Sequence, residues 1–227
     1  MKNIWKLIAA IAIVGGLAAC KKDNTKGLSD LSGGCEAVDL GLSVKWAAYN
    51  VGAQNVYGVG FFFAWGETVE KGNYAWEKSG DYKWGIYDDA ATPLYGMYKY
   101  TGSFANGDGN SVLEPGDDPA TRMWGTKWRT PTEQECRDLC TKCTWTWDDA
   151  RKGFTVEGPS KKSIFIYAGG YYEGSNNVNV GQNCYLWSSS LSDSNASRAF
   201  AIYTGSKAMV YTASRFYGHN VRAVTDY

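Results

Sequence analysis

Apolar and polar residues change rhythm along this chain, and each change marks an element. Val38-Asp-Leu-Gly-Leu-Ser-Val-Lys-Trp46 alternates, the period of a half-buried strand, and predicts a strand or hairpin. Phe61 to Trp65 is a continuous apolar run, which predicts a buried strand. Residues 66 to 120 mix Gly, Asp, Asn, Tyr and Trp with little periodicity, so they read as mostly irregular, with 102 to 119 the clearest loop. Thr130-Pro131-Thr132-Glu133 then predicts the start of a helix, with Thr130 as the cap, Pro131 in the first helical position and Glu133 closing a capping box. After it come short strand-like runs with turn residues between them: 144–147, 153–156, 163–167, 185–189, 200–204, 208–212 and 220–224. One helix among many short strands is an α+β pattern.

The first residues follow a different logic. Lys2 and Lys6 flank the start of an apolar run, Leu7 to Val14, too short to span a bilayer as a mature helix. It ends in Leu17-Ala18-Ala19-Cys20, which resembles the lipobox of bacterial lipoproteins, where cleavage precedes the cysteine and the cysteine carries the lipid. The alternative is a plain secretory signal with an incidental cysteine. The division expected is a signal peptide over 1–19, a Lys/Asp/Gly/Ser-rich tether over 20–34, and one ligand-binding domain over 35–227. Lipid on Cys20 means anchored to a membrane rather than spanning it. The lysine-acid stretch after Cys20 resembles export signals of surface-exposed outer-membrane lipoproteins; its plainer reading is a solvated linker.

Composition narrows the chemistry. Of 227 residues, 44% are hydrophobic and 15% aromatic, too many for a disordered chain. Basic and acidic residues number 23 each, so there is no electrostatic footprint for nucleic acid. His219 is the only histidine, which excludes chemistry needing a His pair. Cys35, Cys136, Cys140, Cys143 and Cys184 follow the tether; an oxidising envelope permits disulfides, and the odd count leaves a free thiol with connectivity open. Cys136, Cys140 and Cys143 stand at i, i+4 and i+7 on one helix face. No fourth ligand lies nearby, so they read as small core hydrophobes or as one partner of a distant disulfide.

Several ordered segments carry a family resemblance: Val38 to Ala47, Phe63-Ala-Trp-Gly-Glu-Thr68, Asp117-Asp-Pro-Ala-Thr121, Trp128-Arg-Thr-Pro-Thr132, Trp187-Ser-Ser-Ser190 and Arg215-x-x-Gly-x-x-Val-Arg222. Together they resemble the FISUMP-type major paralogous domain of envelope lipoproteins, over about residues 36 to 224. The resemblance implies a C-type-lectin-like fold, in which a small twisted sheet and a helix support a loop-rich ligand face. The Arg-Thr-Pro-Thr-Glu helix start also resembles formylglycine-generating-enzyme-like folds, but that enzyme's catalytic cysteine pair has no counterpart here. The C-terminal stretch resembles the variable region of diversity-generating-retroelement target proteins, with Trp187, Ser188, Ser189, Ala199, Gly218, Val221 and Arg222 at framework positions. Asn220 and Ala223 depart from the usual serine and proline.

That resemblance puts Asn195, Arg198, Phe200, Ala201, Tyr203, Tyr211, Phe216, Tyr217 and His219 at interspersed positions; all but Ala201 are the candidate contacts, and the expected binding face is 193–220. Tyr-, Ser-, Asn- and Gly-rich segments suit adaptable binding, although a period of two sends about half of the aromatics to the core. His219 reads as a surface contact. No nucleophile elbow, phosphate loop, dinucleotide fingerprint or zinc-protease motif occurs. Glu67, Glu114, Asp117 and Asp118 are the acids best placed by motif, with turn hydrogen bonding as their plain role. Asp108-Gly-Asn110 with Glu114 and Asp117 offers oxygens to calcium without EF-hand spacing. The expectation is therefore a non-enzymatic, cofactor-free outer-membrane lipoprotein, held to the membrane through Cys20. Its ligand would be an extracellular protein or glycan. The alternatives are a structural adhesion component and, after that, a carbohydrate-active enzyme using two acids.

Overall fold

A computed structural model describes residues 35–76, 81–87, 93–97, 99–103 and 108–227. The leader, Cys20 and the tether lie outside the described residues. The alternating 38–46 segment forms a hairpin: β1 (Ala37–Val38) pairs antiparallel with β2 (Lys45–Ala47), and Val38 faces Trp46. Further along, β3 (Gly85–Tyr87) and β4 (Pro93–Met97) form a hairpin inside the stretch expected to be irregular. Helix α1 (Pro119–Trp124) was not expected either; six residues are too few to show a helical period. Helix α2 (Glu133–Lys142) is the one the sequence predicts.

Strands β5 (Thr144–Asp148), β6 (Gly153–Glu157) and β7 (Ser163–Tyr167) make an antiparallel meander. A short hairpin follows, β8 (Tyr171–Glu173) and β9 (Asn176–Val178). Strands β10 (Tyr185–Leu191), β11 (Arg198–Thr204) and β12 (Ala208–Ser214) form the main sheet. Only β13 (Val224–Thr225) survives of the last expected strand, pairing with β2 so that the two ends of the domain lie side by side. The class is α+β, built of small antiparallel sheets with two helices among the described residues.

Alternation across the main sheet separates two cores. Leu186 and Ile202 face α2, joining Cys136, Leu139, Trp46, Val156, Ile164 and Ile166. Trp187, Ala199, Ala201 and Ala213 face the other way, against Phe63, Trp65, Tyr82 and Tyr100. The alanines are what leave room for the indoles opposite. All five cysteines of the described residues are free thiols. Cys136 and Cys184 sit in the α2-side core and Cys35 in the other, with Cys140 and Cys143 packed at the margin. Burial raises the thiol pKa of Cys140 to about 12, of Cys143 to about 11 and of Cys184 to about 12, so these sulfurs stay protonated and behave as small apolar groups.

The run Phe61 to Trp65 is buried from Phe62 onward, as predicted, but it is not a strand. A single bridge joins Phe63 to His219, in both directions at 2.8 and 3.0 Å. Ala64 O accepts from Glu67 N at 3.0 Å, and side chains reach the other carbonyls. Asn220 Nδ2 donates to Phe61 O (2.9 Å), Tyr74 OH to Phe62 O (2.7 Å), Trp187 Nε1 to Phe63 O (2.7 Å) and Tyr82 OH to Trp65 O (2.7 Å). Asn220, the departure from serine, thus has a structural use.

The helix cap also differs from the expectation by two residues. Thr132 caps α2, accepting from Glu135 N, while Glu135 accepts from Thr132 N at 2.7 Å. Thr130 is drawn inward instead: its N and Oγ1 both donate to Asp118, each at 2.8 Å. Asp118 in turn caps α1 through Ala120 N and Thr121 N. Pro131 therefore precedes the cap, and Glu133 is left to an i,i+4 pair with Arg137 on the surface. Thr132→Ala should cost about 1 kcal/mol and Glu133→Ala less than about 0.5 kcal/mol. Denaturant titrations of the two variants check this; the reverse ranking would restore the Thr130–Glu133 box.

Candidate functional site

Tyrosines gather on one face of the main sheet, Tyr185 buried and the others half-buried. Tyr185 opens β10, Tyr203 and Tyr211 come from β11 and β12, Tyr171 from β8, and Tyr217 from the turn after β12. Ring centroids lie 4.7 Å apart for Tyr171–Tyr185, 5.3 Å for Tyr171–Tyr217, 5.2 Å for Tyr185–Tyr203 and 5.7 Å for Tyr203–Tyr211. Phe216 extends the patch, 4.9 Å from Tyr217 and 5.7 Å from Trp76. Strands fix the backbone under these rings, so few conformations are left for a ligand to freeze out.

The polar ends of the patch are asymmetric. Glu173 accepts from Tyr217 OH at 2.9 Å and Tyr171 OH at 3.4 Å. Burial first, then that carboxylate, raises the Tyr217 phenol to about 12. Asn179 Nδ2 donates to Tyr185 OH at 2.7 Å, leaving the phenol proton to donate onward. The hydroxyls of Tyr203 and Tyr211 meet no partner among the described residues. A ligand would thus meet aromatic faces, the free hydroxyls of Tyr203 and Tyr211 and one carboxylate.

Beneath lies His219, where the expectation needs correction. It is fully buried rather than a surface contact. Its ring stacks on Trp187 at 4.0 Å and 22°, with Tyr171, Tyr185 and Tyr211 around it. Neither ring nitrogen has a hydrogen-bond partner among the described residues. Burial lowers its pKa to about 3, so the ring is neutral at ordinary pH and serves as floor to the tyrosines.

Other expected contacts scatter. Phe200 is on the opposite face of the sheet, 5.9 Å beneath the Arg137 guanidinium of α2. Arg198 is bound to Thr212, through Oγ1 at 3.2 Å and through the carbonyl. Asn195 is exposed and closes its own turn, accepting from Ser197 N at 2.8 Å and Ser197 Oγ at 2.7 Å. Of the eight residues, Tyr203, Tyr211, Phe216 and Tyr217 share the patch and His219 underlies it. Tyr171, Glu173, Asn179 and Tyr185 were missed because they precede residue 193. The signal was present: Tyr171-Tyr-Glu-Gly-Ser-Asn-Asn-Val178 has the two-residue Gly-Ser loop of a tight hairpin, and Gly174 adopts φ +59°.

The oxygens considered for calcium are otherwise engaged. Asp117 accepts from Lys83 Nζ (2.9 Å), Lys99 Nζ (2.6 Å) and Tyr100 OH (2.6 Å), and Glu114 pairs with Lys99 at 2.7 Å. Lysine ammonium groups sit where a cation would have to enter. Among the described residues no group of three or more His, Cys, Asp or Glu could hold a metal. No helix among them is long and apolar enough to cross a membrane.

No family model matches the chain, and no curated protein or solved structure matches it. The site therefore rests on its own geometry.

His219 gives a clean pH signature, because no other side chain of its type exists in the sequence. A histidine held below its unfolded value binds fewer protons folded than unfolded between about pH 3 and 6.5, so stability falls as pH drops through that window. Going from pH 7 to pH 5 should cost about 2 kcal/mol on this account. His219→Phe should lose most of that dependence, and urea titrations at both pH values measure it. An unchanged slope would mean that the ring is not a neutral buried group.

Proposed function

We propose that the chain is a lipid-anchored, surface-exposed outer-membrane protein whose tyrosine face binds an extracellular protein or glycan without chemical turnover. The observation that carries this is the patch itself: clustered tyrosines beside paired strands, with the hydroxyls of Tyr203 and Tyr211 unengaged. Amphipathic rings of this kind supply large contact area at low conformational cost. The non-enzymatic reading rests on Glu173 being the carboxylate at the patch and being engaged by two phenols. The C-type-lectin-like assignment and the retroelement resemblance belong to the same proposal. What supports them is that the framework residues Trp187, Ala199, Val221 and Arg222 are buried while Tyr203 and Tyr211 of the main sheet and Tyr217 of the turn after β12 are partly exposed.

An array of glycans and secreted proteins, followed by titration of hits, tests the binding role. Tyr203→Ala and Tyr217→Ala should each weaken binding by about 1–3 kcal/mol and leave a cooperative melt. Trp187→Ala should instead cost roughly 3–5 kcal/mol of stability, since it empties the core beneath His219. Full-strength binding by both tyrosine variants would place the site elsewhere.

The anchor is tested separately. Intact-mass measurement of membrane-extracted protein should show a diacylglycerol-modified amino terminus at Cys20, and Cys20→Ala should release the protein into the soluble fraction. An unlipidated mature protein beginning at another residue would remove the anchor from the proposal.

A further inference from the structure

The β8–β9 hairpin brings a carboxylate to one corner of the tyrosine face and locks it there. Tyr171 and Glu173 alternate with Tyr172 along β8, so they share a side of the strand. Tyr172 exchanges both backbone hydrogen bonds with Gly218, at 2.8 and 2.9 Å, which sets Tyr217 beside that pair. Gly218 permits the approach, because a Cβ there would come within 2.9 Å of the Tyr74 ring and 3.0 Å of Tyr172 Cβ. The loop of the hairpin is pinned as well, with Gly174 and Tyr74 bonded in both directions at 2.9 and 2.8 Å. Tyr171, Glu173 and Tyr217 are therefore held in place before any ligand arrives.

No cation of the chain answers this corner. Glu173 has no lysine or arginine within ion-pair distance among the described residues. Elsewhere in the domain aromatic rings are faced by cations: Lys83 lies over Trp84 at 4.1 Å, Arg215 over Trp65 at 4.7 Å and Arg151 over Tyr57 at 5.0 Å. Among the described residues none stands over Tyr171, Tyr185, Tyr203, Tyr211 or Tyr217. The charge of Arg198 does reach Tyr211 and Tyr217, but its guanidinium is tied to Thr212, through Oγ1 at 3.2 Å and through the carbonyl. The largest cluster of tyrosines thus pairs an exposed carboxylate with ring faces that the chain's own cations leave open.

We infer that this corner of the tyrosine face binds an arginine side chain of a protein partner. The inference rests on the tyrosine face being the binding face, and it chooses protein over glycan. Tyr217 OH donates to Glu173 Oε1 and Tyr171 OH to Oε2, so each oxygen keeps a lone pair for a second donor. A guanidinium fork can meet both oxygens while its plane lies against the Tyr171 and Tyr217 rings. The rings support one another at 4.7 to 5.7 Å and form a platform. A spherical methylated ammonium gains most when rings enclose it, whereas a planar ion needs one ring face and one carboxylate edge. A lysine ammonium reaches the carboxylate but is more strongly hydrated and does not stack. A sugar would gain from the rings and nothing from the charge of Glu173.

Titrating the full protein, held in detergent micelles, with the acetylated and amidated tripeptide Gly-Arg-Gly tests this, read by backbone amide chemical shifts. Citrulline in place of arginine keeps the shape and removes the charge; lysine keeps the charge and removes the plane. The expected result is saturable shifts around Tyr171, Glu173 and Tyr217, with binding about tenfold weaker for citrulline and about threefold weaker for lysine. Glu173→Gln should weaken arginine binding about fivefold and Tyr217→Leu about threefold, both with cooperative melts, while Tyr217→Phe should keep most of it. No saturable shift with the arginine peptide, equal binding of the citrulline or lysine peptide, or full binding by Glu173→Gln would overturn the proposal. An array partner that loses affinity in Tyr203→Ala and Tyr217→Ala, yet is indifferent to Glu173→Gln and is not displaced by the arginine peptide, would overturn this inference alone and leave the tyrosine face standing.

Discussion

Irregular backbone runs through the interior of this domain, and each buried carbonyl on it must find a donor; the rest of the structure is arranged around that need. An unmet buried carbonyl costs about 1–3 kcal/mol, so the donors are not optional. Here they are long side chains. Arg215, fully buried, donates to Tyr100 O (3.1 Å), Ala196 O (2.8 Å) and Lys99 O (3.0 Å), and to Tyr82 OH (3.0 Å). Arg222, also fully buried, donates to Asn50 Oδ1 (2.8 Å), Ala47 O (3.0 Å) and Phe165 O (2.7 Å). Neither has a carboxylate partner among the described residues. Arg222 keeps its charge because burial lowers its pKa only to about 10. Arg215 is further compensated by the Trp65 ring, 4.7 Å away.

Tryptophans do the same work between segments. Trp65 Nε1 donates to Ser188 O at 2.8 Å, and Trp187 Nε1 to Phe63 O at 2.7 Å, so the 61–65 run and β10 are stitched in both directions. This stitching fixes Trp187, Trp187 carries His219, and His219 supports the tyrosines. A non-repetitive core thus ends in a surface whose backbone is held while its outer side chains remain free to vary in chemistry. That separation suits a binding protein whose specificity lies in side-chain identity.

Strand rhythm was legible because it depends on near neighbours. The meander 144–167 and the sheet 185–214 lie close to where period-two alternation put them, since each strand pairs with its sequence neighbour across a short turn. Alternation also sent Phe200 and Ile202 to one face and Tyr203 to the other. It did not say which face another element covers. Phe200 was expected at the ligand face and is instead under α2, because the position of α2 is set by Leu139 and Cys136 packing on Ile202.

The sequence by itself determined the α+β class, the α2 helix, the hairpin at the amino end of the domain and the tyrosine-rich character of the carboxyl third. These follow from local period, capping chemistry and composition, which do not depend on distant residues. Tertiary structure decided the rest. A capping threonine two residues from another is chosen by Asp118, which draws Thr130 inward. The run at 61–65 keeps one bridge, at Phe63, while Asn220, Tyr74 and Tyr82 side chains meet the carbonyls of Phe61, Phe62 and Trp65. His219 is floor rather than contact because Trp187 lies flat against it. Each of these outcomes turns on a partner far away in the chain, and no local pattern encodes which of several donors arrives.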